Sequence, residues 1–347
     1  MTDAPESGDS VSPDAPISRR EASGVRRAHS AAETNPALPA QSKSARSEFE
    51  THVAHARAEF EEANERIKQR TGRDLILAIA IGLAIGAVLI ASLIFFKWIF
   101  LIFAIAATSL GLFEFARALT AAGRKVDLAP QLLCGAALLV SGYFLELWEH
   151  WVVTIVVVVF VIVWRLMGQM FARDGRTYGA VLSDVLVAAF VQLYVPFLGS
   201  LSAILLSRPG GEWWVLAFII VTVAADTGAY VTGLTIGRHP MAPRISPKKT
   251  WEGFAGAFVA ALVAGVLLAL YMLHLPWWAG LIFGAVILAT ATIGDLGESM
   301  VKRDLGIKDM SSWLPGHGGV LDRLDSILPS AVAALALYAL LFPLVVS

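Results

Sequence analysis

The chain has 347 residues, of which 56% are hydrophobic and only 16% charged, and its mean hydropathy is +0.67. Those values exclude an ordinary soluble enzyme and point to a polytopic membrane protein. A formal net charge of −1 excludes a general nucleic-acid binder, and the single cysteine, Cys134, excludes an intrachain disulfide.

Residues 1–44 are rich in Pro, Ser, Ala, Asp and Glu and lack apolar periodicity, so a disordered tail is expected there. No secretory signal peptide is expected, because residues 1–73 are polar and the first apolar run is too long for one. Residues 45–72 should form an amphipathic cytoplasmic helix, with Phe49, Val53, Ala56, Phe60, Ala63 and Ile67 spaced by fours and threes. A dimerising coiled coil or a helix lying on the membrane would also give this stripe. Two alanines in it and fewer than three heptads favour a solvated helix packed on the protein's own cytoplasmic face.

From residue 73 to the end the sequence reads as one all-α, membrane-embedded domain. About 20 apolar residues cross a bilayer core. Nine stretches qualify, at roughly 75–95, 98–118, 131–147, 151–167, 180–206, 213–236, 253–273, 277–293 and 327–346. Only Phe96 and Lys97 separate the first two, which implies a tight hairpin, and Pro196 should kink or tilt the fifth. With the amino terminus in the cytoplasm, the inside loops hold thirteen Lys and Arg residues, and the outside loops hold only Lys97 and Arg208. The carboxyl terminus then lies outside.

The longest polar segment after residue 73 runs from Gly294 to Ser326, between the last two spans and on the cytoplasmic side. It carries Asp295, Glu298, Asp322 and Asp325 with Lys302, Arg303, Lys308, Arg323 and a turn at Pro315–Gly319. Carboxylates for a hard cation, bases for phosphate oxygens and glycines for close backbone approach belong to metal-assisted phosphoryl or nucleotidyl transfer. A lipid substrate is implied by the flanking spans.

If the eighth helix continues, Asp295, Ser299 and Lys302 share a face; Asp322 and Asp325 share one at the start of the ninth. Two helix ends could then bring the three carboxylates to one Mg²⁺, with Mn²⁺ able to replace it and a second cation compatible with the same inventory. Capping of the helix dipole accounts for Asp322 or Asp325 singly but not for Asp295, at the wrong end of its span. Asp295, Asp322 and Asp325 are therefore the expected catalytic and metal residues. Lys302, Arg303 and His317 complete the expected catalytic set, on the phosphate or pyrophosphate, with Lys308, Gly318, Gly319 and Arg323 binding substrate. A lone His in a turn is usually only part of the turn, but His317 leads into a helix amino terminus, which attracts anions.

A second polar loop ends Ser246-Pro247-Lys248-Lys249-Thr250-Trp251-Glu252-Gly253. Ser246 is expected to cap a helix that starts at Pro247, putting Lys248, Lys249 and Thr250 in its first turn to bind phosphate. Membrane anchoring alone needs the bases but not the cap. Asp226, about ten residues inside the sixth span, is a further substrate-binding candidate, because an acid at that depth is costly unless it faces a partner or water. Glu114, Arg117 and Asp184 read as structural pairs and receive no role.

The run Ser299-x-x-Lys302-Arg303, Lys308-Asp309, and Leu314-Pro315-Gly316-His317-Gly318-Gly319-x-Leu321-Asp322-Arg323-x-Asp325 resembles the signature of the phosphatidate cytidylyltransferases, or CDP-diacylglycerol synthases. The Ser246–Gly253 block and Asp226-x-Gly228-x-Tyr230 resemble two further blocks of that family, and the likeness spans about residues 73–346. Met310-Ser311-Ser312 stands where the family often has a pair of small residues. The resemblance implies that CTP and phosphatidate give CDP-diacylglycerol and pyrophosphate, with Mg²⁺, in a multi-pass cell-membrane protein serving phospholipid biosynthesis. It implies a homodimer and a catalytic aspartate pair at Asp295 and Asp322. Two rival classes share parts of this inventory. A transporter would not need this phosphate-handling loop, and the inverted repeats that would favour one are not found. A CTP-dependent lipid kinase of the polyprenol type would share the loops but attack a different phosphorus.

Overall fold

In the computed structural model, residue 51, residues 54–55, 75–172, 175–311 and 318–345 are described. The chain divides into two compact units, Met1–Arg66 and Ile67–Ser347. Of the first, Thr51, Ala54 and His55 are helical, and the remainder of the expected tail and amphipathic helix lies outside the described residues.

The second unit is a helical bundle. Helices α1 (Leu75–Phe95) and α2 (Lys97–Ala121) form the expected hairpin, joined at Phe96, whose N–H reaches Ser92 O at 3.2 Å. Next come α3 (Leu128–Phe144) and α4 (Leu147–Phe171), the latter opened by a reciprocal cap between Glu146 and Glu149. Helix α5 (Tyr178–Gln192) passes through a π-helical turn at Leu193–Phe197 into α6 (Leu198–Ser207). Pro196 lies in that turn, where its missing N–H cannot continue the α-helical ladder. The wider turn is how the span accommodates the proline. Helices α7 (Gly211–Ile236), α8 (Trp251–Tyr271) and α9 (Trp277–Asp304) follow, then a short α10 (Leu321–Leu324) and α11 (Ile327–Leu341).

Among the described residues, seven helices are long and apolar enough to cross a membrane, and two shorter apolar helices accompany them. Their outward residues are apolar, as on α4, where Ile155, Val156, Val159 and Phe160 are exposed. That is a polypeptide whose solvent on that face is lipid. The inner core is equally apolar: Leu205, Val215, Phe218, Phe283, Ile287 and Ala334 are fully buried where α6, α7, α9 and α11 meet.

Helices α7 and α8 pack most closely at Gly228 and Gly256. A Cβ on Gly228 would lie 2.7 Å from Gly256 O, and one on Gly256 would collide with Thr232. Without a hydrophobic drive between helices in lipid, small residues of this kind permit the approach.

One expectation is corrected here. The second polar loop is not the start of a helix at Pro247; Ser246–Thr250 is strand β2, paired antiparallel with β1 (Pro240–Ala242). The N-cap is Thr250, whose Oγ1 accepts from Gly253 N at 3.1 Å, so Lys248 and Lys249 precede the helix instead of lying in its first turn. The eighth helix does continue past its apolar run, unbroken to Asp304, and carries Asp295, Glu298, Ser299 and Lys302 as helix residues.

Candidate active site

The hairpin and three helices enclose a cavity of ≈ 220 Å³. Asp226 of α7, Lys248, Lys249 and Thr250 of β2, and Asp295 of α9 line its polar part. Ala225, Ala229, Phe254, Ala257, Leu288 and Ala291 form an apolar recess behind them. Asp226 thus faces a cavity, as an acid inside a span should, with the charges of Asp295, Lys249 and Arg323 around it.

Lys249 and Asp295 form an ion pair across the mouth, with 27% and 30% of their side chains exposed. Ser299 Oγ stands at 3.5 Å from Asp295 Oδ1, so those two do share a face of α9. The hairpin that carries Lys249 is held from below. Glu252 accepts the N–H groups of Arg238 (3.1 Å) and His239 (3.2 Å), and the His239 ring at 2.5 Å. From α9, Arg303 Nε donates to Ile245 O at 3.1 Å. The Arg303 guanidinium, expected on phosphate, is here a tie between helix and hairpin.

The second half of the polar segment is built differently. Lys302 Nζ lies 2.5 Å from Glu298 Oε2 and 3.0 Å from Asp322 Oδ1. Asp322 also accepts from Met310 N (3.2 Å) and Gly319 N (2.8 Å), which makes it the hub of the loop between α9 and α10. Leu321 N donates to Glu114 Oε2 at 2.9 Å, and Ser311 Oγ to Glu114 Oε1 at 2.5 Å. A Cβ on Gly319 would lie 2.8 Å from Glu114 Oε2, which is why no larger residue fits. The anions that this stretch of backbone approaches are therefore the protein's own carboxylates. Gly318 turns the chain beside them at φ +84°, a conformation that glycine adopts readily. Lys308 is exposed on the loop and Arg323 on α10. His317 and Gly316 lie outside the described residues.

Of the three carboxylates expected at one point, Asp295 and Asp325 feel each other's charge, but each of the three takes different partners. Asp295 faces the cavity; Asp322 turns into the loop; Asp325 is buried, accepts from Ser326 N at 2.6 Å and interacts with Glu298. Asp325 and Ser326 keep helical backbone between α10 and α11, so Asp322 and Asp325 remain about one turn apart while their side chains take different partners. Among the described residues no three His, Cys, Asp or Glu side chains form a metal-binding group. The donor type still fits a hard cation. Asp295 presents a carboxylate to the cavity, and Glu298 Oε1 is buried with no hydrogen-bond partner among the described residues. Mg²⁺ needs only one or two protein carboxylates when substrate phosphates and waters complete its shell.

Two acids central to this arrangement, Glu298 and Glu114, received no role from sequence. Each is 1% exposed within a helix long enough to span. The rule that singled out Asp226 applies equally to Glu114, which was passed over as a structural pair. Glu298 escaped it because the apolar run was ended at residue 293.

The sequence matches the Cytidylyltransferase family over residues 76–341. A phosphatidate cytidylyltransferase of Mycobacterium bovis is 41% identical over 285 residues, covering 78% of this chain and 90% of the relative. That of Mycobacterium leprae is 38% identical over 288 residues, again 78% and 90% of the two chains. A shorter match to the Haemophilus influenzae phosphatidate cytidylyltransferase is 43% identical over 122 residues, 34% of this chain and 42% of the relative. With its membrane helices, cavity and charged segment matched over most of their length, the chain belongs to the Cytidylyltransferase family.

Proposed function

We propose that this chain transfers the cytidylyl group of CTP to phosphatidate, forming CDP-diacylglycerol and releasing pyrophosphate. The observation that carries this reading is the cavity itself: cationic and anionic groups at its mouth and an apolar recess behind, which suit a phosphate joined to a lipid. An oxygen of the lipid phosphate attacks the α-phosphorus of CTP. The bond from that phosphorus to the bridging oxygen breaks, and its electron pair leaves with pyrophosphate. No base is required, since the lipid phosphate is already an anion.

Lys248 and Lys249 are assigned the nucleotide phosphates, with Lys249 exchanging Asp295 for substrate, and Arg323 and Lys308 complete the positive surround. Thr250 acts indirectly by capping α8 where β2 ends, and Ser246 by its place in that strand. Asp226 would keep the neighbouring lysine oriented. Asp295 would hold Mg²⁺, with Asp325 and Asp322 the nearest further acids of the segment; the ion would screen the two phosphates as they approach. Positioning and charge neutralisation then supply most of the catalysis. The hairpin side is assigned to the cytoplasm, where CTP is, and the working form in the cell membrane to a homodimer.

The test is product identity. Purified full-length protein given CTP, phosphatidate and Mg²⁺ should yield CDP-lipid and pyrophosphate in equal amounts. Phosphorylated lipid and CDP instead would make the chain a lipid kinase and overturn the reading.

A further inference from the structure

One polar group beside the site is not used by the proposed reaction. The π-helical turn at Leu193–Phe197 presents Tyr194 toward the interior, and such turns recur at functional positions. Its ring is fixed on both sides, stacked on Phe190 at 5.4 Å and meeting Phe115 edge-on at 6.1 Å. The hydroxyl is buried with no hydrogen-bond partner among the described residues. The charges of Glu298, Asp325 and Asp295 reach it.

One of the acid oxygens near it is likewise without a partner among the described residues. Glu298 Oε2 is held by Lys302 at 2.5 Å, while Glu298 Oε1 is buried and unpartnered among the described residues. Asp325 Oδ1 accepts from the Ser326 N–H at 2.6 Å and its hydroxyl at 3.2 Å. These two buried carboxyls interact directly. A buried phenol and a buried carboxylate oxygen are both costly to leave unpaired. A single ordered water has the hydrogen-bonding capacity to serve both.

We infer that Tyr194 is a positioning residue: its hydroxyl donates, directly or through one water, to the Glu298–Asp325 carboxyl pair and sets the orientation in which Asp325 and Asp295 meet the nucleotide. This rests on the cytidylyl-transfer reading. The π turn is then the device that swings the phenol inward, and the two flanking rings hold it there.

Tyr194→Phe removes only the oxygen and retains both ring contacts. In steady-state assays of CDP-diacylglycerol formation by the full-length protein, kcat should fall roughly tenfold, the size of a lost hydrogen bond to a charged group. KM for CTP should stay unchanged, and the thermal midpoint should fall only slightly. Tyr194→Leu, which removes the ring, should lower the midpoint further. Combined with Glu298→Gln, Tyr194→Phe should add little further loss, because both changes disable the same contact. A wild-type kcat for Tyr194→Phe overturns the assignment. So does a midpoint lowered as far as that of Tyr194→Leu, or losses that multiply with Glu298→Gln. Wild-type protein that makes no CDP-lipid fails differently: it overturns the underlying reading, and the assignment with it.

Discussion

Two lysines in this protein face acids under opposite conditions. Lys249 meets Asp295 at the cavity mouth, where 27% and 30% of the two side chains are exposed. Lys302 lies between Glu298 and Asp322, where the three side chains are 12%, 1% and 7% exposed. An exposed pair is worth at most about 1 kcal/mol, so an anionic substrate can displace one partner easily. A buried pair resists that exchange, because removing one partner leaves an uncompensated charge in a dry place. The first pair is suited to chemistry and the second to architecture.

The sharpest break in that comparison concerns the acids. Asp295→Asn should lower turnover by a hundredfold or more, because even outer partners of metal ligands are worth about 10- to 100-fold. The protein should remain folded and inserted. Asp322→Asn should also lose most activity, but with a lower thermal midpoint, since Asp322 anchors Lys302, Met310 N and Gly319 N. If the two aspartates serve one ion, the double variant should be little worse than the worse single one. Added Mg²⁺ should partly restore each single variant by mass action. Losses that multiply and ignore metal concentration would put the two in separate roles.

Lys302→Met tests the architectural half. It should cost about 3–5 kcal/mol of stability by stranding Glu298 and Asp322, measurable by thermal or denaturant unfolding in detergent. Lys248→Ala or Lys249→Ala should instead weaken CTP use by about 1.5–3 kcal/mol, seen in kcat/KM, without disturbing insertion. Unchanged kinetics would reduce that lysine to a membrane anchor. Smaller still, Thr250→Val removes the α8 cap and should cost about 1 kcal/mol, detected as a shifted unfolding midpoint. Deleting residues 1–44 should change activity least of all, because nothing in their composition forms a core.

Much of this was legible before the coordinates, because lipid imposes a simple grammar. Apolar runs marked the helices, seven of which are long and apolar enough to span among the described residues where nine spans were expected. The proline in the fifth, expected to kink or tilt it, lies in the π turn. The charged blocks that carry the resemblance supplied Asp226, Lys248, Lys249, Thr250 and Asp295, all of which line one cavity. The misses have local causes. Ser246-Pro247 is a good helix start by its own chemistry, but pairing with Pro240–Ala242 makes it a strand, and Thr250 caps four residues later. Non-local pairing of that kind leaves no periodic trace. Glu298 was hidden because hydropathy falls at residue 293 while the helix does not end. Burial there comes from α9 packing on the Asp325 backbone, where Gly294 admits a contact that a side chain would block. Gly319, whose N–H donates to Asp322, also lies against Glu114, more than two hundred residues upstream, a closeness that no local pattern announces.

The contrast between the two lysines is the central claim, and one paired measurement tests it most directly. Lys249→Ala and Lys302→Met are purified side by side, and both kcat/KM for CDP-diacylglycerol formation and the thermal midpoint are measured on each. The account predicts that Lys249→Ala loses catalytic efficiency at an unchanged midpoint, while the midpoint falls sharply only in Lys302→Met. A Lys249→Ala protein that unfolds early, beside a Lys302→Met protein that is stable but inactive, would contradict it.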